Sequence, residues 1–186
     1  LKYTHSPFEL ILIDNGSEID TAEFLEKLQN SDERIKVISN PENLGFPAAV
    51  NQGMKAAAGK YFVIANNDII VTEGWLGKMI EAAEDNSEIG IVGPISNSVS
   101  GVQIDKEAAY SSIEEMHKYA REISAKNKNQ RFEFPRAAFL CTLIKKDVVE
   151  KIGGLDERFS PGNFEDDDFC LRAQLSGFKA VIAKDV

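Results

Sequence analysis

Apolar positions along the chain keep switching between two periods. Short continuous runs suit buried strands, and residues three or four apart suit one face of a helix. Phe8–Ile13 is the first run and predicts a buried strand. Asp20 and Glu23 then give a capping-box signal ahead of a helix carrying Phe24, Leu25 and Leu28. Ile35–Ser39 predicts a second strand. Pro47 opens the next helix, whose apolar face is Phe46, Val50, Met54 and Ala57, and Gly59 stops it. Lys60–Ala65 predicts a third strand that breaks at Asn66-Asn67-Asp68, and Trp75, Leu76, Met79, Ile80 and Ala83 follow at helical spacing.

Ile89–Val92 predicts a fourth strand, ended by Gly93-Pro94. A loop over 95–105, rich in Ser, Asn and Gly, leads to a helix capped by Ser112 and Glu115, with Ile113, Met116, Ala120 and Ile123 on one side. Ala137–Ile144 predicts a fifth strand, Asp147–Ile152 a short helix closed by Gly153-Gly154, Glu165–Ser176 a helix, and Phe178–Ala183 a final strand. Strands alternating with helices predict βαβ units, an α/β fold and a mainly parallel central sheet flanked by helices. Ligands of such sheets sit beyond the carboxyl ends of the strands. That rule selects the loops at Asp14–Ser17, Asn40–Phe46 and Asn66–Asp68, all rich in Asp, Asn and Gly.

Composition narrows the chemistry. With 21 Lys and Arg against 30 Asp and Glu, the 186 residues carry a net charge of −9. That balance argues against a nucleic-acid partner, whose phosphates demand a basic face. No apolar run is long enough to predict a transmembrane segment, and no leader with a charged start is visible. Cys141 and Cys170 lie in apolar surroundings without CxxC spacing, which reads as two buried thiols in a reducing compartment. His5 and His117 have no carboxylate or cysteine at ligand spacing. Neither GxGxxG nor GxxxxGK[ST] is present, which argues against a dehydrogenase or P-loop nucleotidase. An acidic protein without such a cradle holds a diphosphate through a bridging cation or scattered Lys and Arg. Asp68, with Asn66 as a neutral oxygen donor, is a candidate cation ligand; the same three residues also fit an Asx turn.

Glu165-Asp166-Asp167-Asp168 is the densest acidic cluster. Carboxylates suit a helix start, but four in a row repel one another, which raises a carboxylate's pKa and fits it to take a proton. Helical spacing pairs Asp168 with Arg172.

The stretches "ILIDNGSEID", "NPENLGFPAAVNQGMKAAAGKYFVIANNDIIV", "GWL", "IGIVGPISN" and "GGLDERFSPGNFEDDDFCLRAQLSGFK" resemble, in order and spacing, the bacterial family 2 glycosyltransferases of polysaccharide and O-antigen assembly. The resemblance runs from about Phe8 to Val186, with 97–135 less typical. It implies a Rossmann-like GT-A sandwich, a nucleotide-diphosphate sugar donor, Mg²⁺ or Mn²⁺, a saccharide or lipid-linked acceptor, and inversion at the anomeric carbon. It also implies a cytoplasmic protein, or one peripheral at the inner face of the membrane. By residue, it implies that Asp14 and Asn15 contact base and ribose. Asn43, Gly45 and Asn51 line the nucleotide pocket, and Asn66-Asn67-Asp68 stands at the metal motif with Asp68 as ligand. Asp166 is the base that deprotonates the acceptor, and Glu165 orients the acceptor.

The metal motif carries one carboxylate where many members have two, and Asn15 stands where they have a second acid. The chain begins, at Leu1-Lys2-Tyr3, near the end of the family's first helix, so 1–186 reads as a single domain trimmed at both ends. Its nucleotide-binding half is 1–93 and its acceptor and catalytic half 94–186. By itself it is expected to bind donor weakly and transfer little. The segment 97–135 reads either as a solvated surface helix or as an acceptor wall bearing Arg131 and Arg136. The competing functional class is a degenerate nucleotide-sugar or carbohydrate binding module. A sugar-phosphate nucleotidyltransferase is weaker, since its glycine- and basic-rich loop is missing.

Overall fold

The apolar runs fold as strands and the helical spacings as helices in a computed structural model that describes residues 2–186. The chain order is β1 (Leu10–Asn15), α1 (Ile19–Ser31), β2 (Ile35–Asn40), α2 (Phe46–Ala56), β3 (Tyr61–Ala65), α3 (Trp75–Glu84) and β4 (Ile89–Pro94). It continues with α4 (Ile113–Lys126), β5 (Arg131–Glu133), β6 (Cys141–Lys145), α5 (Lys146–Ile152), α6 (Glu165–Leu175) and β7 (Lys179–Ala183). Leu1, where the sequence reads as a helix end, lies outside the described residues; Lys2 and Tyr3 form a turn.

The α/β architecture with a helix-flanked sheet is as expected, but the sheet is mixed rather than mainly parallel. β1 and β2 form a parallel pair, and the larger sheet has the order β3-β6-β4-β7-β5. Within it β4 and β7 are parallel, whereas β6 runs against β3 and β4, and β5 against β7. The reason is connectivity. β3, β4 and β7 share a direction, while β5 and β6 follow the long excursion after β4, and no single crossover helix dictates their sense. β5 has three residues, too few to show a period in the sequence.

Alternate side chains of the sheet feed two cores. Phe62, Ile64, Ile91, Ile144 and Ile182 meet α2, α5 and α6 through Met54, Val148 and Phe169. Leu143, Val92 and Val181 meet α3 through Trp75, Leu76 and Met79. Central β4 is buried throughout.

Two local expectations change. α1 starts at Ile19 with Glu18 at the cap and no side-chain capping bond, so Asp20 lies in the first turn and the capping box is not made. The strand expected from Ala137 starts at Cys141; Ala137–Leu140 is a loop, with Ala137, Ala138 and Phe139 buried. Side chains serve its backbone: the Ala138 N–H donates to Gln103 Oε1 at 2.7 Å, and Thr142 Oγ1 donates to Ala138 O at 2.8 Å. The Ser112 cap of α4 forms as expected, accepting from the Glu115 N–H at 3.2 Å.

Candidate functional site

The turns after β1 and β2 are knitted by amides. Asp14 is 5% exposed, and its Oδ1 accepts from the Ser17 N–H at 2.9 Å, folding the chain over Gly16. Gly16 has φ +82°, and a Cβ there would lie 2.8 Å from the backbone of Glu42, so the two turns touch. Asn15 Nδ2 donates to Asn43 Oδ1 at 2.8 Å, and Asn15 Oδ1 accepts from the Leu44 N–H and from Asn40 Nδ2 at 3.1 and 3.0 Å. Asn43 Oδ1 also accepts from the Gly45 N–H at 2.9 Å. The amides of Asn15 and Asn43 therefore shape their own loops. Asn51 lies elsewhere: it staples α2 to the loop after α5, donating to Leu155 O at 2.9 Å and accepting from the Leu155 N–H at 2.8 Å.

Gly45 opens α2 at φ +85°, and a Cβ there would fall 2.2 Å from Ser160 Oγ. The Phe46 N–H donates to Pro161 O at 2.9 Å. Through these contacts the Asn43–Phe46 loop closes on the segment leading into α6.

That helix opens with Glu165 and Asp166, each 8% exposed. Asp166 Oδ1 accepts from the Asp167 N–H at 2.9 Å, and Oδ2 from Arg136 Nη2 at 3.2 Å. Arg136 Nε lies 3.3 Å from Asp167 Oδ1, so one guanidinium spans both carboxylates. Burial alone would lower the Arg136 pKa; Asp166 and Asp167 outweigh it and raise it. Burial raises the pKa of Asp167, Asp166 adds to the rise, and Arg136 opposes it. The raised pKa expected within the acidic run thus falls on Asp167, with burial as its first cause and the neighbouring carboxylate as a lesser one. Glu165 Oε2 is buried with no hydrogen-bond partner. Asp168 pairs with Arg172 at 2.7 Å as the helical spacing predicts, and Arg172 ties α6 to Ile152 O and Gly154 O at 2.9 Å each.

The residue just before the pair is conformationally costly. Asn163 and Phe164 have φ +88° and +69°, a region that costs a non-glycine residue roughly 1–2 kcal/mol. Phe164 is also the N-cap of α6 without a side-chain capping bond, where Ser, Asp or Asn would contribute about 1 kcal/mol. Its ring is 68% exposed.

Asn66-Asn67-Asp68 sits at the end of β3, with Asn67 and Asp68 exposed and Asn66 half-buried. The Asn66 N–H donates to Leu140 O at 2.9 Å. Leu140 stands four residues after Arg136, a span of at most about 14 Å. The loop 136–140 therefore carries a partner of the metal-motif turn at one end and the partner of Asp166 at the other. The turns after β1 and β2 touch each other, and the Asn66 turn is tied to the loop that begins at Arg136. Asp68 enters no ion pair among the described residues, and no three His, Cys, Asp or Glu there gather as a metal cluster. A lone exposed carboxylate suits a hard cation that completes its shell with diphosphate oxygens and water.

Beside Asp68 a cavity of about 430 Å³ runs under α4, lined by Asn66, Trp75, Asp105, Tyr119 and Ile123 among others. α4 is therefore a wall of this cavity. Arg131 faces away from it, pairing with Asp85 and donating to Glu81 O at α3. Sequence reasoning missed Gln103, which is 2% exposed and clips Pro94 O, at 2.8 Å, to the Ala138 N–H. A lone Gln in a Ser/Asn/Gly loop carries no signal. Arg136, which one of the two readings of the sequence puts at an acceptor wall, grips Asp166. Both cysteines are buried free thiols, and burial pushes Cys141 up to about 12 and Cys170 to about 11.

Known proteins share this framework. A mannosyltransferase from Pyrobaculum calidifontis, PcManGT, solved with GDP-Man and Mn²⁺, superposes with a TM-score of 0.68 at 16% identity, covering 96% of this chain and 46% of its own. GalNAc-T7, solved with UDP, GalNAc and Mn²⁺, gives 0.72 at 16% identity, covering 95% and 36%. The architecture is that of the GT-A glycosyltransferases. The model of glycosyl transferase family 2 matches residues 1–153, and the chain belongs to that family. The glycosyltransferase GlyG of Streptococcus pneumoniae is 26% identical over 192 residues, covering all of this chain and 61% of GlyG. An uncharacterized glycosyltransferase of Haemophilus influenzae is 37% identical over 93 residues, covering 50% of this chain and 29% of that protein. The protein y4gI of Sinorhizobium fredii is 26% identical over 184 residues, covering 94% of this chain and 20% of its own length. The chain thus spans between a fifth and three fifths of these relatives. Among the described residues no helix is long and apolar enough to cross a membrane.

Proposed function

We propose that this chain is the donor-binding and base-bearing part of an inverting glycosyltransferase. It moves a sugar from a nucleotide-diphosphate sugar to a saccharide or lipid-linked acceptor in surface polysaccharide assembly. Residues 1–93 form its nucleotide half and 94–186 its acceptor half. The observation that carries this reading is Asp166: buried at the start of α6, held by Arg136, and connected through 136–140 to the turn of Asp68.

A single displacement at the anomeric carbon needs a base on the acceptor side. Each Asp166 oxygen has one partner, and a carboxylate oxygen accepts two hydrogen bonds. A free lone pair therefore remains to take the proton of the acceptor hydroxyl. Arg136 and the α6 N-terminus hold that carboxylate in place. Glu165 orients the acceptor through its unpartnered oxygen. Asp14, Asn15, Asn43 and Gly45 shape the turns that receive the nucleoside. Asp68, with Asn66 and Asn67 in the same turn, would hold Mg²⁺ or Mn²⁺, which when bound supplies charge neutralisation for the leaving diphosphate. PcManGT with GDP-Man and GalNAc-T7 with UDP, both with Mn²⁺, support this donor class.

Asp166→Asn in the intact protein, assayed with UDP-, dTDP- and GDP-sugars with Mn²⁺ and with EDTA, should lower transfer by roughly 100-fold or more. Near-wild-type turnover in that variant would sink the assignment. An intact protein that binds these donors yet neither transfers nor hydrolyses them would instead be a binding module.

A further inference from the structure

Phe164 breaks three local rules at one position. It takes a left-handed backbone that favours Gly or Asn, stands at a helix cap without capping, and leaves its ring 68% exposed. With the ring this exposed, side-chain packing returns little of that cost. A position where local preference is overridden without a packing gain marks a functional surface. The neighbouring groups say what the ring meets. Glu165 and Asp166 follow it, both buried, and Glu165 Oε2 has no hydrogen-bond partner.

An exposed aromatic ring followed directly in the chain by two buried acids, one with an unpartnered oxygen, suits a pyranose. The C–H face of the sugar lies on the ring, and its hydroxyl edge donates to the acids. A diphosphate does not match, because Glu165–Asp168 present four carboxylates in a row. A uronic acid meets the same repulsion, and the cations that reach these acids among the described residues are already engaged, Arg136 by Asp166 and Asp167 and Arg172 by Asp168.

We infer that Phe164 is the stacking platform for a neutral pyranose acceptor, holding its hydroxyl edge against Glu165 and Asp166. The inference rests on the transferase reading of the same site. The strained turn 162–164 turns the aromatic ring out while the carboxylates that follow stay in.

The test compares wild type with Phe164→Ala, Phe164→Asn and Phe164→Trp in the intact protein. The donors are UDP-, dTDP- and GDP-sugars, and the acceptors are methyl glucopyranoside, methyl galactopyranoside and methyl glucuronide. Phe164→Ala and Phe164→Asn should raise the acceptor KM by roughly 3- to 10-fold while the donor KM and acceptor-free donor hydrolysis stay put. Phe164→Trp should keep acceptor binding near wild type, and the neutral pyranosides should be used in preference to the glucuronide. Phe164→Asn suits both the backbone and the cap, so it should melt no lower than wild type. Weaker acceptor use in an equally stable protein separates a binding role from a structural one. An acceptor KM that does not move, or a glucuronide used as well as the neutral sugars, overturns the inference and leaves the transferase reading standing. A wild-type protein that neither transfers nor hydrolyses any donor overturns the transferase reading, and this inference with it.

Discussion

Arg136 spans the carboxylates of Asp166 and Asp167, and the pKa of Asp167 lies above the ordinary carboxylate value because burial outweighs the cation. The folded chain therefore holds the Asp167 proton more tightly than the unfolded chain does. Stability from this group is complete below the unfolded carboxylate pKa and falls as pH rises toward the raised folded value. Asp167→Asn removes that fall. Its melting temperature relative to wild type should climb as pH is raised from about 4 toward neutrality and then level off. Thermal melts across that range check it, and a difference that does not vary with pH would rule out burial of Asp167 as the source of the effect. That four acids crowd the start of α6 was legible in the sequence. Which of them carries the raised pKa was not, because it depends on how far the fold buries each side chain.

Among the elements, the buried loop Ala137–Leu140 decides how the site is assembled. It looked like strand because it is apolar, yet its backbone pairs with side chains. Gln103 holds it with one amide, donating to Pro94 O and accepting from the Ala138 N–H. Gly93 is needed beside it, since a Cβ there would come within 2.7 Å of Gln103 Nε2. Gln103→Ala leaves two buried backbone groups unpaired and should cost on the order of 2–3 kcal/mol in urea unfolding. Neighbouring Val102, 42% exposed, should tolerate Ala within about 0.5 kcal/mol. Transfer should also drop in Gln103→Ala, because Arg136 and its hold on Asp166 ride on this loop. The periodic helices and strands were readable because each has a repeating apolar face. A clip made by one polar side chain across 35 positions has no period to read.

At the scale of the whole molecule, cohesion is uneven. β4 is buried at every residue and pairs on both sides, with β6 and β7. β1, although its Leu10-Ile11-Leu12-Ile13 run is as apolar, is half-buried along that run and pairs with β2 alone. α1, which covers it, buries no residue and leaves Ile19 and Phe24 76% and 61% exposed. α2 makes the link between the two sheets: Gly53 faces Ile13 of β1, while Met54 joins Phe62 and Ile64 in the main core. Local opening follows local burial and pairing. In this 186-residue chain, amides of β1 and β2 should therefore exchange with deuterium well before those of β4, β6 and β7. Saturating nucleotide diphosphate with Mn²⁺ should slow the first group selectively, since Asp14, Asn15 and Asn43 sit at the ends of those strands and ligand binding stabilises only the closed form. Uniform exchange across both sheets would mean that α2 couples them into one cooperative unit. Protection by nucleotide confined to β4 and β7 would place the donor on the other half of the sheet and overturn the assignment of residues 1–93.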